Sequence, residues 1–210
     1  VSALLYNIHE VMMLNVFIRN ENFERYIRKF PITTAFIALN IAYFIYIKFF
    51  IGEPGILNAW GIFDALKIAE GEWYRLFTAV FTHFDFVHLF LNLISIYLFA
   101  SIVEQLTSKW KYGLLYLGSG FLSYVLVYFF SQAQFTVGAS GAVFAVFGAL
   151  FYLSRKKPYI FDGSAKSTLY IIILFNVFAT FIFTGTSIIG HLGGLVAGYT
   201  YARVLRIEHH

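Results

Sequence analysis

Residues 135–150 read FTVGASGAVFAVFGAL, and the placement of this stretch decides the fold. From Val137 to Ser154 the chain holds no charged side chain, and its small residues are spaced as on one helix face. The only hydroxyl near the start of that run, Ser140, stands between Ala139 and Gly141. The whole chain of 210 residues is 60% hydrophobic and 12% charged. A soluble domain carries about 25% charged residues, so the run reads as a membrane-crossing helix.

Working outward, apolar stretches of spanning length fall at 32–51, 83–103, 112–131, 137–154, 167–184 and 187–204. Each is near the ~20 residues a bilayer requires. The expected fold is therefore an all-α polytopic membrane protein, a six-transmembrane-helix bundle. Its parts are a short cytoplasmic or interfacial region at 1–30, a membrane domain at 31–206 and a tail at 207–210. His209 and His210 are left out of any site as a tag-like end. No cleavable signal peptide is expected, because the first residues are rich in Asn, Glu and Arg. VSALLYNIHEVMMLNVFI, at 1–18, has the spacing of a helix lying on the inner leaflet. His9-Glu10 opens a zinc-protease pattern, but Met13 stands where its second histidine belongs.

Charge sets the orientation. Arg19, Arg25, Arg28 and Lys29 precede the first span, and Lys109 and Lys111 separate the second from the third. Arg155, Lys156, Lys157 and Lys166 follow the fourth, and Arg203 and Arg206 close the sixth. Twelve of the fifteen basic residues thus share one side, which places both termini in the cytoplasm. The long connection at 52–82 carries Trp60, Trp73 and Tyr74, as a loop lying in the outer interface does.

Polar groups inside the spans need partners, since each is costly in hydrocarbon. At ~1.5 Å per helical residue, Ser140 lies ~22 Å above Arg155, and His191 ~18 Å above Arg203. On the same rise, Asn92 and His88 lie ~18 and ~24 Å above Glu104. All four fall in the outer half of the bilayer. Together a serine hydroxyl and a neutral imidazole can carry out acyl transfer, with Ser140 as nucleophile and His191 as base. The arrangement is read as a dyad rather than a triad. His88 and Asn92 share a helix face and can donate to a developing oxyanion, joined by the N–H groups at the helix start. His83, five residues before His88, is expected to face away and bond the loop. Gly190, Gly194 and Gly198 recur every four residues, opposite Gly141, Ala145 and Gly148, which suits close helix packing.

With these motifs in place, the chain resembles the rhomboid intramembrane serine proteases. EWYRLFTAVFTHFDFVHLFLN (72–92), GASG (138–141) and GHLGGLVAG (190–198) are similar to the family's loop, nucleophile and histidine motifs. The resemblance covers roughly 32–205 and implies Ser140 as nucleophile and His191 as general base. It also implies an oxyanion site of His88, Asn92 and the Ser140 N–H, shaped by Gly138. Glu72 and Arg75 resemble the family's loop pair, with Tyr74 where tryptophan is usual. Phe144 stands where many members stack a tyrosine on the histidine. Structural support is expected from His83, Glu72, Arg75, Phe144, Gly194 and Gly198.

The expected activity is hydrolysis of peptide bonds in or beside transmembrane segments of membrane-protein substrates, near the extracytoplasmic face of a bacterial inner membrane. The bilayer itself is the other partner. No cofactor, metal or nucleic acid is expected, and the absence of cysteine excludes thiolate chemistry. Two rival classes are a non-catalytic binder of client membrane proteins and a metal or transport protein using His83, His88 and His191. Water must reach Ser140 from outside, so the fifth span or its short loop is the expected gate.

The charge pattern has a direct test. Reporter fusions after Arg155 and after Arg206 should read cytoplasmic, and one within 131–136 should read external. An external signal after Arg155 would refute the orientation.

Overall fold

The computed structural model describes residues 20–51, 61–161, 163–183 and 186–208. The inner-leaflet helix expected at 1–18, the placement of Trp60 and the histidine pair at the end lie outside them. A short helix α1 (Phe23–Lys29) leads into α2 (Pro31–Ile51), whose last turn is a π-turn. Two short helices, α3 (Ala65–Ala69) and α4 (Arg75–Thr78), lie in the first connection. The long helices α5 (Phe86–Leu106), α6 (Lys109–Phe130), α7 (Ser140–Lys156), α8 (Gly163–Ile182) and α9 (Ile188–Val204) follow. Helices α2, α5, α6 and α8 are long and apolar enough to cross a membrane. Helices α7 and α9 have 17 residues each and carry the small and polar residues of the site. The expected spans shift by up to four residues, most at the start of the fifth, which begins at Gly163; the second starts at Phe86 because Asp85 caps it.

Helix α7 is the axis of the fold. Gly141 to Leu150 are buried without a break, whereas α2 and α8 bury few of their residues and present the rest outward. A helix apolar all round has no solvent face to orient it, so its neighbours must be chosen by fit. Here the fit is with α9. A Cβ added at Gly194 would meet the Gly141 carbonyl oxygen, one at Gly198 that of Ala145, and one at Gly148 that of Leu195. Backbone therefore lies against backbone, the gain being van der Waals contact where apolar lipid offers no hydrophobic drive.

Buried polar contacts fix the other elements. The Glu104 carboxylate, at the end of α5, accepts from the Ile32 and Thr33 N–H groups at 3.1 and 2.8 Å. It also accepts from the Thr33 hydroxyl at 2.6 Å and Lys109 Nζ at 2.8 Å. It thus satisfies donors at the start of α2, where Pro31 already removes one, and favours the positive end of that helix. Glu104 therefore ties the end of α5 to the start of α2.

The first connection is folded down by Arg75, a buried cation. Its Nε donates to Glu72 Oε2 at 2.6 Å and its Nη1 to the Ile62 carbonyl at 2.9 Å. The Tyr74 hydroxyl donates to the same Glu72 oxygen at 2.6 Å. Beyond Ile62, strand β1 (Phe63–Asp64) pairs antiparallel with β2 (Phe135–Thr136), with Phe63 opposite Thr136. The connection is therefore tied to the segment that enters α7.

Tyr74 first, then Arg75, hold the Glu72 carboxyl below its ordinary value by hydrogen bonding. A depressed carboxylate stabilises the fold above its unfolded pKa, about 4.3, and that contribution is lost as pH falls through the lower folded value. The difference in Tm between the wild-type chain and Glu72→Gln should be constant near neutrality. It should close as pH drops below about 4. A gap independent of pH would break the pairing argument. For the helix packing, Gly198→Val should destabilise by about 1–3 kcal/mol or more, because backbone cannot yield as a side chain can. Gly113→Ala, with open space at its Cβ, should be neutral or stabilising in the same thermal melts.

Candidate active site

The turn into α7 sets where Ser140 points. Gly138 sits at φ 123°, in the region L side chains rarely adopt, and its N–H donates to the Ala79 carbonyl at 3.0 Å. The Tyr124 hydroxyl, buried on α6, lies 2.9 Å from the Gly138 carbonyl and 3.2 Å from that of Ala79. The phenol therefore ties the turn at Gly138 to the first connection at Ala79. The helix then starts without a side-chain cap, leaving its first N–H groups without an intrahelical partner.

His191 enters from the first turn of α9, where Ser187 caps the helix by accepting the Gly190 N–H at 3.1 Å. Its Nε2 is 2.8 Å from Ser140 Oγ across 51 residues of sequence. Its ring stacks on Phe144, with centroids 4.3 Å apart and planes 12° from parallel. Phe144 is one helical turn beyond Ser140, so α7 supplies both the hydroxyl and the face on which the imidazole rests. The other ring nitrogen, Nδ1, is 2.8 Å from the Thr180 hydroxyl on α8. A serine hydroxyl within hydrogen-bond reach of an oriented imidazole is the arrangement that activates a nucleophile.

His88 and Asn92 lie on α5, whose start is fixed by Asp85 accepting the His88 N–H at 2.8 Å. A Cβ placed on Gly138 would lie 2.6 Å from His88 Nε2 and 3.8 Å from the Ser140 nitrogen. The hollow left by that glycine is thus bordered by an imidazole and a helix-start N–H. Asn92 is one turn further, and its Nδ2 donates to the His88 carbonyl at 2.9 Å. An amide nitrogen carries two N–H groups, so this bond uses one of them. His88, Asn92, Ser140, Thr180 and His191 line one cavity of about 630 Å³.

His83 departs from the helical expectation. It is fully buried, its ring centroid is 4.9 Å from that of His88, and its Nε2 accepts the Ala139 N–H at 3.4 Å. Residues 82–85 precede α5, so the five-residue spacing does not rotate His83 away from the site. It does reach a loop, the one before Ser140. Glu72 and Arg75 stay in the first connection, and Gly194 and Gly198 lie at the contact with α7. Sequence reasoning missed Tyr124, Asp85 and Thr180. Asp85 had a readable signal, an acidic residue three before His88 at a helix start. Tyr124 and Thr180 had none: a threonine commonly bonds within its own helix, and which distant carbonyl a buried phenol reaches is not written in its spacing.

Comparison with known proteins shows the family. The family model described as Rhomboid domain matches residues 70–208. The chain is 30% identical over 185 residues to "Putative rhomboid protease YdcA" of Bacillus subtilis, covering 88% of this chain and 93% of that protein. It is 31% identical over 175 residues to rhomboid protease GluP of Bacillus subtilis, covering 82% of this chain but only 34% of that longer protein. It is also 31% identical over 155 residues to the mitochondrial RHOMBOID-like protein 6 of Arabidopsis thaliana, covering 72% and 50%. With a family match over most of its length and a relative aligned nearly end to end, the chain belongs to the rhomboid family.

Proposed function

We propose that the chain hydrolyses peptide bonds in or beside transmembrane segments through a Ser140–His191 dyad. By family it is a serine endopeptidase and an integral membrane protein. The observation that carries the dyad is the 2.8 Å approach of His191 Nε2 to Ser140 Oγ inside a cavity large enough for a peptide segment.

In this reading His191 Nε2 takes the hydroxyl proton as Ser140 Oγ attacks the scissile carbonyl. The tetrahedral oxyanion forms in the hollow at Gly138, where the Ser140 N–H, His88 and Asn92 stabilise its charge. The imidazolium then protonates the leaving amine, and water, activated by the same histidine, hydrolyses the acyl-enzyme. Phe144 keeps the ring plane fixed during both transfers. Gly138 cannot carry a side chain without filling the hollow.

The six long helices α2 and α5–α9 all span the membrane in this proposal, with both termini cytoplasmic and the site in the outer half of the bilayer. The basic residues at the inner ends support that orientation. A bacterial inner membrane is the proposed location. The substrate is a membrane protein whose helix unwinds locally to expose its peptide bond, since a helical backbone bond is already satisfied and shielded. Helix-weakening residues and a small residue before the cut are the expected features. Entry between α5 and α8 is consistent with the outward exposure of both helices.

Purified protein incubated with single-span substrates in one detergent tests the assignment. Ser140→Ala should abolish cleavage, because the covalent route is lost. Asn92→Ala or His88→Ala removes one oxyanion donor, which costs about 10²-fold or less while the other donors remain. Well-folded Ser140→Ala cleaving at the rate of Asn92→Ala would refute the serine mechanism.

A further inference from the structure

The proton positions around His191 can be deduced from the partners of its ring. Ser140 Oγ lies at Nε2 and Thr180 Oγ1 at Nδ1, each at 2.8 Å. A threonine hydroxyl has one proton to give, and the Thr180 oxygen lies 2.9 Å from the Asn176 carbonyl on its own helix. If that proton goes to Asn176, the same oxygen is an acceptor toward the ring, and Nδ1 carries hydrogen. Nε2 is then a lone pair facing Ser140, whose own proton points at it. Every proton in the chain of contacts has an acceptor within 2.9 Å. In the reverse arrangement Nε2–H points at Ser140, and the base has no lone pair where the reaction requires one.

We propose that Thr180 is a positioning residue that holds His191 in the Nδ1–H tautomer, so that Nε2 can accept the Ser140 proton. The assignment deepens the dyad reading and rests on it. Thr180 is suited to this task by burial and anchoring. It is 3% exposed on a helix that otherwise buries only Ala165, Leu169 and Ile173. The Thr186 hydroxyl donates to the Thr180 carbonyl at 2.8 Å, fixing the last turn of α8 against the entry to α9. Among the described residues no carboxylate lines the cavity on the Nδ1 side of the ring; the only acid among those lining residues, Asp85, is engaged by the His88 N–H. A neutral hydroxyl thus fills the place that an acid takes in a three-residue arrangement. It fixes the tautomer and ring orientation but contributes no charge.

The test uses Thr180→Val, which keeps the shape and removes the hydroxyl, and Thr180→Ser, which keeps the hydroxyl. Nitrogen-15 histidine labelling in detergent reports which ring nitrogen carries hydrogen, with the His191 signals identified by their loss in His191→Gln. The wild-type chain and Thr180→Ser should show Nδ1 protonated, and Thr180→Val should shift toward the Nε2–H form. Cleavage of a single-span substrate should fall on the order of tenfold in kcat for Thr180→Val, with KM nearly unchanged, and recover in Thr180→Ser. Thermal melts of the three proteins establish that they are folded. Thr180→Val that retains both the Nδ1–H form and the wild-type kcat overturns the proposal, as does Thr180→Ser falling as far as valine. A wild-type chain that cleaves nothing instead sinks the protease reading, while the tautomer measurement still decides the role of Thr180.

Discussion

The contact of α7 with α9, backbone on backbone, is the constraint on which the rest of the molecule depends. Gly194 lies against the Gly141 carbonyl, Gly198 against that of Ala145 and Gly148 against that of Leu195, closer than a β-carbon on any of these three glycines permits. A Ser140–His191 hydrogen bond spans only the length of two short side chains, so the axes that carry them must be close. Larger residues at the contact would separate the hydroxyl from the imidazole before they unfolded the protein. Stability and site geometry are therefore set by the same glycines.

Around that contact, each remaining element holds one coordinate of the site. Helix α6 fixes the turn before Ser140 through Tyr124, and α5 brings His88 to the hollow at Gly138. The first connection, folded down by Arg75 and paired as β1 with β2, ties the strand that leads into that turn. Helix α8 touches the ring of His191 through Thr180. The polar groups come from five long helices and a loop, yet nearly all find partners within the protein. That is the condition for placing them in a low-dielectric interior.

The distribution of burial has a functional consequence. Helix α7 is enclosed while α8 is largely exposed, so Ser140 is carried by the most deeply buried long helix and the histidine's second partner by one of the least embedded. A substrate helix approaching beside α8 would meet a cavity whose far wall is fixed and whose near wall has few contacts to break. The exposed phenylalanines of α8, among them Phe175, Phe178 and Phe181, suit a surface facing lipid or an apolar segment.

Much of this was legible in the sequence. Long uncharged runs dictate membrane helices because no other backbone arrangement but a closed barrel satisfies its hydrogen bonds in lipid. Their spacing gave the six long helices, and the residues GASG, His88, Asn92 and His191 gave the candidate site. Glycines recurring every four residues announced a close contact, since a helix brings such positions to one face. What the sequence did not carry was direction and partnership outside the helices. His83 was misplaced because helical spacing does not hold in the extended residues before Phe86. Thr180 went unnoticed because a hydroxyl bonded to its own helix and one aimed at a neighbour are identical in sequence, and Tyr124 because the sequence does not say which carbonyl a buried phenol reaches. Only the tertiary structure decides between them, because the second partner of each hydroxyl, Gly138 for Tyr124 and His191 for Thr180, lies on a segment that packing alone brings near.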